Sequence, residues 1–410
     1  MRAPGRAHRL LGALLSTAVG FALLTVVATP VSAEPSFYDP PSPLPPGQPG
    51  DVIRSEPSEF FLDPVKLVRA PAQVQRIMYR STDTHGDPIA VTGTVLTPDV
   101  PWRGTGERPI VGYAPGTQGV GDNCAPSKAL AAGLEYEGPS IAGMLTRGFA
   151  VVVTDYEGLG TPGMHTYVNR AAEGHAVLDA LRAAQRLPEA DLPDSGPLGI
   201  SGYSQGGGAS AAAAELAPEY APELDIKGAY AGAVPADLAK VAVNLDGHYA
   251  AGFLGYSLLS LDYAYPELNI PDLLNDEGKR LLAEVENQCT PEAITAHAFT
   301  RSADLTKDGR PLAAYLNEEP YASRVAEQRI GERKPDVPVL VVHSALDDIV
   351  PYAQGRQMAR EWCAQGATVQ FSTSLVPSHI GGAIRAYPEA LAWLEGRFAG
   401  KPAPDNCGWF

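Results

Sequence analysis

Basic side chains are in short supply. Lysine and arginine together number 31 against 47 aspartates and glutamates in 410 residues, a net charge of −16 with histidine neutral. A surface of that sign repels phosphate backbones and anionic lipid, so neither nucleic acid nor an acidic membrane is an expected partner. Cysteine is scarcer: Cys124, Cys289, Cys363 and Cys407 are the whole set. None stands in a C-x-x-C spacing, which removes the usual zinc frameworks. No motif for another metal or an organic cofactor is present, and none is expected. After Thr29 no apolar run is long enough to cross a bilayer.

The first 33 residues read as a leader. Arg2, Arg6 and Arg9 make a basic start, residues 10–29 are mainly apolar, and Val31-Ser32-Ala33 supplies small residues for cleavage after Ala33. A membrane anchor is the competing reading of this run, and the cleavage site favours removal. Its loss takes away three arginines and no acid, so the exported chain is more acidic still. It is expected to be secreted, without a stable membrane anchor. An even number of cysteines in an exported chain implies two disulfides, and four cysteines allow three pairings.

The stretch Gly202-Tyr203-Ser204-Gln205-Gly206 carries the strongest chemical signal. A short apolar run, Leu198 to Ile200, precedes it, and an alanine-rich helix former, Ala209 to Ala217, follows. Strand, sharp turn and helix are the setting in which Gly-x-Ser-x-Gly exposes a nucleophilic serine. The helix start just beyond Ser204 favours negative charge there.

Around that turn the pattern alternates. Residues 34–72 open with a Pro- and Gly-rich stretch and read as an extended surface arm. Val74 to Tyr79 and Ile89 to Leu96 read as a hairpin joined by the turn-rich residues 82–88. Buried-strand runs follow at Pro109 to Ala114, Phe149 to Thr154, Leu198 to Ser201 and Ile226 to Val234. Helical spacing fills Ser140 to Arg147 and Asn169 to Arg186, where Ala172, Val177, Leu178, Leu181 and Ala184 share a face. Residues 73–234 are therefore the first part of an α/β core with a mostly parallel sheet flanked by helices. The alternation stops over residues 235–333. Helices are expected at Ala236 to Asn244, Glu277 to Gln288 and Pro291 to Phe299, with loops over Tyr249 to Tyr256, Leu258 to Tyr265 and Ile270 to Leu274. This segment reads as a helical cap, or lid, inserted between two strands. Residues 334–410 return to the sheet at Val339 to His343 and Ala367 to Ser372. A last helix, Ala383 to Phe398, is placed to be interrupted by Pro388.

A serine hydroxyl needs a base, and the base an orienting carboxylate. In this fold class the order along the chain is serine, acid, histidine. His8 falls in the leader, His85, His165 and His175 precede Ser204, His248 and His297 fall in the cap, and His343 lies inside a strand run. His379, in a loop after the last strand, remains as general base. Asp347 and Asp348 both follow the strand ending at His343, and the residues alone leave both open as the acid. The backbone N–H of Gln205 follows the nucleophile, and the Gly-rich loop after Ala114 offers Thr117 N–H; these two are the expected oxyanion donors.

Ala114-Pro115-Gly116-Thr117-Gln118-Gly119, Asp155-Tyr156-Glu157-Gly158-Leu159-Gly160, the Ser204 elbow, Asp347-Asp348-Ile349-Val350-Pro351 and Ser378-His379 together resemble the secretory lipase family, lipase A-like α/β-hydrolases of fungi and actinobacteria. The resemblance spans nearly the whole chain after the leader. It implies an α/β-hydrolase fold with a helical lid, an extracellular lipase or carboxylesterase, Asp347 as the acid, and disulfides Cys124–Cys289 and Cys363–Cys407. Members often carry His where Pro115 stands. The expected partner is a small-molecule or lipid ester met by a monomer, if need be at a lipid–water interface. A short-chain carboxylesterase, an acyltransferase or peptidase on the same triad, and a non-catalytic lipid-binding hydrolase fold are the alternatives.

Overall fold

Strands with apolar residues on both faces belong at the centre of a sheet covered on both sides, and four of them lie there. In the computed structural model, which describes residues 36–410, β4 (Ile110–Ala114), β5 (Ala150–Thr154), β6 (Leu198–Tyr203) and β8 (Val339–Ser344) are buried along their whole lengths. The leader read over residues 1–33 lies outside the described residues. The remaining strands are β1 (Val52–Pro57), β2 (Ala72–Thr82), β3 (Pro88–Pro98), β7 (Ile226–Gly232) and β9 (Val369–Ser374). Among the described residues they form one nine-stranded sheet in the order β1-β2-β3-β5-β4-β6-β7-β8-β9. Pairing is antiparallel from β1 to β5 and parallel from there to β9. This is an α/β-hydrolase architecture. Val52–Pro57, inside the stretch read as a surface arm, is the edge strand of the sheet, and Phe60 just beyond it is fully buried.

The helices in chain order are α1 (Pro126–Ala132), α2 (Gly138–Thr146), α3 (Arg170–Arg186), α4 (Gln205–Tyr220), α5 (Leu238–Leu245), α6 (Gly252–Ala264), α7 (Asp276–Val285), α8 (Thr290–His297), α9 (Leu312–Tyr315), α10 (Tyr321–Glu327), α11 (Tyr352–Ala364) and α12 (His379–Phe398). One apolar layer joins α3, α4 and α11 to one face of the sheet through residues such as Leu181, Ala212 and Trp362. The other joins α1, α2 and α12 to the opposite face through Leu130, Met144 and Trp393.

Two further local expectations fail for identifiable reasons. Residues 249–256 and 258–265, read as loops, contain the helix α6 instead. Its apolar residues run around the whole circumference, because Phe253, Tyr256 and Leu258 are all buried, so no one-sided stripe marks it. The last helix starts at His379 and runs through Pro388 without a break. The lost backbone hydrogen bond is outweighed by packing: Ala386, Ala390, Trp393, Leu394 and Phe398 bury against the sheet.

Residues 235–333 have a core of their own in which Leu245, Phe253, Tyr256, Leu282 and Val285 meet. That core reaches Tyr167, Ile349 and Val350, which follow the carboxyl ends of β5 and β8. Crevices beyond the carboxyl ends of parallel strands are where such sheets bind ligands. Cys124 is bonded to Cys289 and Cys363 to Cys407. The first bridge ties the loop after β4 to the start of α8. The second holds the tail against β9, where the Asn406 N–H donates to Val369 O at 3.0 Å and covers the sheet edge. No helix among the described residues is long and apolar enough to cross a membrane.

Candidate active site

Ser204 sits between β6 and α4 with φ 62° and ψ −123°, a backbone conformation that side chains rarely adopt. The turn is forced by crowding. A Cβ at position 206 would stand 1.9 Å from Ala114 O, and one at 202 would stand 2.3 Å from Gly206 O, so only glycine fits on either side. The Ser204 N–H donates to Gly232 O at 2.9 Å, which anchors the strained residue to β7.

His379 opens α12, with Ser378 as the cap whose hydroxyl oxygen accepts the Gly381 N–H. Its Nδ1 donates to Asp347, 2.8 Å from Oδ2 and 3.0 Å from Oδ1. The Asp347 side chain has no exposed surface and also accepts the Ile349 and Val350 N–H groups. Burial pushes its pKa up, but the bond to His379, the nearby His343 and these amides outweigh that, and its carboxyl is held below the ordinary range. Asp348 faces another way: Oδ1 accepts the backbone N–H of His379 at 2.7 Å, and Oδ2 accepts the Tyr249 hydroxyl. It fixes the backbone from which the imidazole projects. Tyr203 braces the histidine from below, its hydroxyl donating to His379 O at 2.9 Å and its ring centroid 5.0 Å from the imidazole. No hydrogen bond joins Ser204 Oγ to His379 among the described residues, and such bonds often close only when substrate arrives.

Residue 114 of β4 pairs with Gly202, so the loop from Pro115 to Gly119 runs beside the elbow. Thr117 lies in that loop, buried, its hydroxyl bonded to that of Tyr167 at 3.0 Å. Among the described residues its N–H donates to no protein acceptor. The Gln205 N–H, first in α4, has no acceptor one turn back in the helix. The Gln205 side chain is fixed from behind, its Nε2–H groups donating to Glu173 Oε1 at 2.7 Å and His165 Nε2 at 2.9 Å. Burial drops the His165 pKa to about 4, so the ring is neutral, with Nδ1–H donating to Glu157 O and Nε2 left to accept. Nothing in the sequence pattern singled out His165 or Glu173; both lie in runs without a motif, and only the fold brings them to Gln205.

Ser204 and Gln205 also line a narrow cavity with about 70 Å³ of free volume. Its walls are apolar: Leu238, Val241 and Leu245 from α5, and Leu254, Leu258 and Leu261 from α6, are among them. Among the described residues no cluster of side chains could hold a metal ion.

Burial shifts the titration of several carboxyls upward in this fold. Burial raises Glu157 to about 7, Glu173 to about 8 and Asp179 to about 6. Burial raises both Glu135 and Glu137, and the nearby Glu137 raises Glu135 further. Each such group binds its proton more tightly in the fold than in the unfolded chain. These groups therefore take stability away as pH rises toward about 8, where they finally ionise. His165 and His343, whose pKa values burial lowers to about 4, add stability as pH rises to the ordinary imidazole value and oppose the carboxyls below it. Asp347 acts in the opposite sense, with a contribution present above the ordinary range and lost in acid. The expected result is a Tm that declines between about pH 7 and about pH 8 in scanning calorimetry, above the histidine range and where Glu157 and Glu173 ionise; a Tm that rises over that window would show the opposite proton balance.

A family model described as Secretory lipase matches residues 124–406. A protein from Mycobacterium tuberculosis named as a probable inactive lipase is 32% identical over 379 residues, covering 90% of this chain and 83% of its own. A secreted triacylglycerol lipase of Malassezia globosa is 29% identical over 390 residues, covering 92% and 81%. The crystal structure of Candida antarctica lipase A in its closed state superposes with a TM-score of 0.79 at 26% identity, over 92% of this chain and 88% of that one.

Proposed function

Because the chain belongs to the secretory lipase family, we propose that it is an exported serine hydrolase of carboxylic esters, acting on lipid esters of the triacylglycerol class. The nucleophile is Ser204, the general base His379 and the orienting acid Asp347. Ser204 Oγ attacks the ester carbonyl as His379 Nε2 takes its proton. Asp347 keeps the Nδ1–H tautomer and balances the imidazolium. Thr117 and Gln205 N–H groups receive the oxyanion. His379 then protonates the leaving alcohol, and water, activated the same way, releases the acid from the acyl-serine. Residues 1–33 serve as the signal peptide, and residues 235–333 as the cap that supplies the apolar wall.

The observation that carries this reading is the shared cavity: Ser204 and Gln205 open onto aliphatic side chains of α5 and α6, a lining suited to an acyl chain and to little else. The mycobacterial relative is named inactive. Here Ser204 keeps its strained turn and His379 its bond to Asp347, which favours turnover over mere lipid binding.

The cavity's small free volume favours a second reading, a short-chain carboxylesterase. A series of p-nitrophenyl esters from acetate to palmitate, with a triacylglycerol emulsion, separates the two. The lipase reading expects kcat/KM to rise with chain length, and Leu254→Trp to cut it at least about 10-fold for long chains with acetate little changed. An optimum at acetate, indifferent to Leu254→Trp, supports the esterase. No ester cleaved at all removes both.

A further inference from the structure

The segment Glu135-Tyr136-Glu137 grips the loop beside Ser204 residue by residue, in antiparallel order. Glu135 Oε1 accepts from Gln118 Nε2 at 3.1 Å, the Tyr136 hydroxyl donates to Thr117 O at 3.3 Å, and Glu137 Oε2 accepts the Gly116 N–H at 2.6 Å. A second grip comes from the start of α8. The Thr290 hydroxyl donates to Thr117 O at 2.8 Å and the Thr290 N–H to Gln118 O at 2.9 Å, next to the Cys124–Cys289 bridge. Glu137 is in turn held by the hydroxyls of Tyr113 on β4 and Tyr387 on α12.

The arrangement singles out one peptide. Gly116 N–H belongs to the peptide before it, and Thr117 O to the peptide after it. Between those two tethered units stands the Gly116–Thr117 peptide, which carries the Thr117 N–H. Gly116 has no Cβ to restrict its rotation, so without tethers that N–H would sample several directions. A buried carboxylate is costly unless its bonds do something an apolar side chain cannot. Orienting a peptide is such a task.

We propose that Glu137 and Thr290 are positioning residues for the Thr117 N–H, fixing from two sides the loop that must present this donor to the oxyanion. Neither touches the substrate. The inference rests on the oxyanion role given above, and it goes beyond it by naming what holds the donor in place.

The test uses the full-length exported protein with Glu137→Gln, Thr290→Val and Thr290→Ser. Glu137→Gln turns one of the two oxygens that accept the Gly116 N–H and the Tyr113 and Tyr387 hydroxyls into a donor. Thr290→Val removes the hydroxyl at constant shape, and Thr290→Ser restores it. In the first two, kcat for a p-nitrophenyl ester is expected to fall about 10–100-fold with KM within about 2-fold, the loss typical of a misaimed group. Affinity for an alkylboronic acid, whose adduct on Ser204 places an oxygen where the oxyanion forms, should fall by the same factor. Thr290→Ser should recover both. If folded variants keep wild-type kcat and boronate affinity, or if activity falls only with the folded fraction, the inference is overturned. Should Glu137→Gln not fold, the Thr290 pair decides. A wild-type protein in which a fluorophosphonate fails to label Ser204 overturns instead the active-site reading beneath it.

Discussion

Ser204→Ala is expected to lower kcat for ester hydrolysis by roughly 10⁶-fold, leaving only the background that binding and the oxyanion donors supply. Ser204→Gly should be equally inactive yet more stable than the wild type. The reason is the backbone. At φ 62° and ψ −123° a residue with a Cβ is strained, and that strain is of order 1–3 kcal/mol. Alanine keeps the Cβ and the strain; glycine loses both, against an entropy cost of about 0.5–1 kcal/mol. So the two variants share a dead active site but differ in Tm, with Ser204→Gly the higher. Ester assays with calorimetry check both halves. Retained hydrolysis in either variant would falsify the elbow as the nucleophile. Equal Tm values would mean the turn relaxes in solution.

That turn was the most legible part of the chain, because local crowding dictates it. Gly202 and Gly206 are required by contacts within a few residues or with the neighbouring strand, and such constraints leave a short pattern. The central strands were legible for a similar reason: burial on both faces writes continuous apolar runs such as Val339 to Val342. What escaped is what depends on distant partners. α6 is apolar all round because it is enclosed by α7, α8 and the sheet ends, so period gave no sign of a helix. The β1 edge strand is half-buried and carries Arg54 and Glu56, which hid it within the Pro-rich arm. Glu135 and Glu137 look like surface acids until the fold lays them under Gly116 and Gln118. Asp347 and Asp348 are adjacent in sequence and so indistinguishable by order. Only the turn after β8 separates them, sending one carboxylate to the imidazole and the other to the backbone N–H of His379.

The same geometry makes the acid testable by substitution. Asp347→Asn is expected to cost about 10⁴-fold in kcat with little change in KM. The amide oxygen would go on accepting the Ile349 and Val350 N–H groups, which turns the NH₂ toward His379 Nδ1. An imidazole facing a donor there must carry its proton on Nε2 and can no longer receive one from Ser204. Asp348→Asn should behave quite differently. Its amide oxygen can still accept the His379 N–H at 2.7 Å, so kcat should fall less than about 10-fold. Asp348→Ala loses that anchor and should fall further, though well short of Asp347→Asn. Because the Asp347 carboxyl stays ionised below the ordinary carboxylate range, its protonation cannot account for activity lost on mild acidification. A pH–rate profile should therefore keep its acidic limb in Asp348→Asn, at a kcat close to wild type. If the two asparagine variants instead showed equal losses, the bond between Asp347 and Nδ1 would be structural, and the imidazole would have to take its orientation from the backbone anchor and Tyr203 alone.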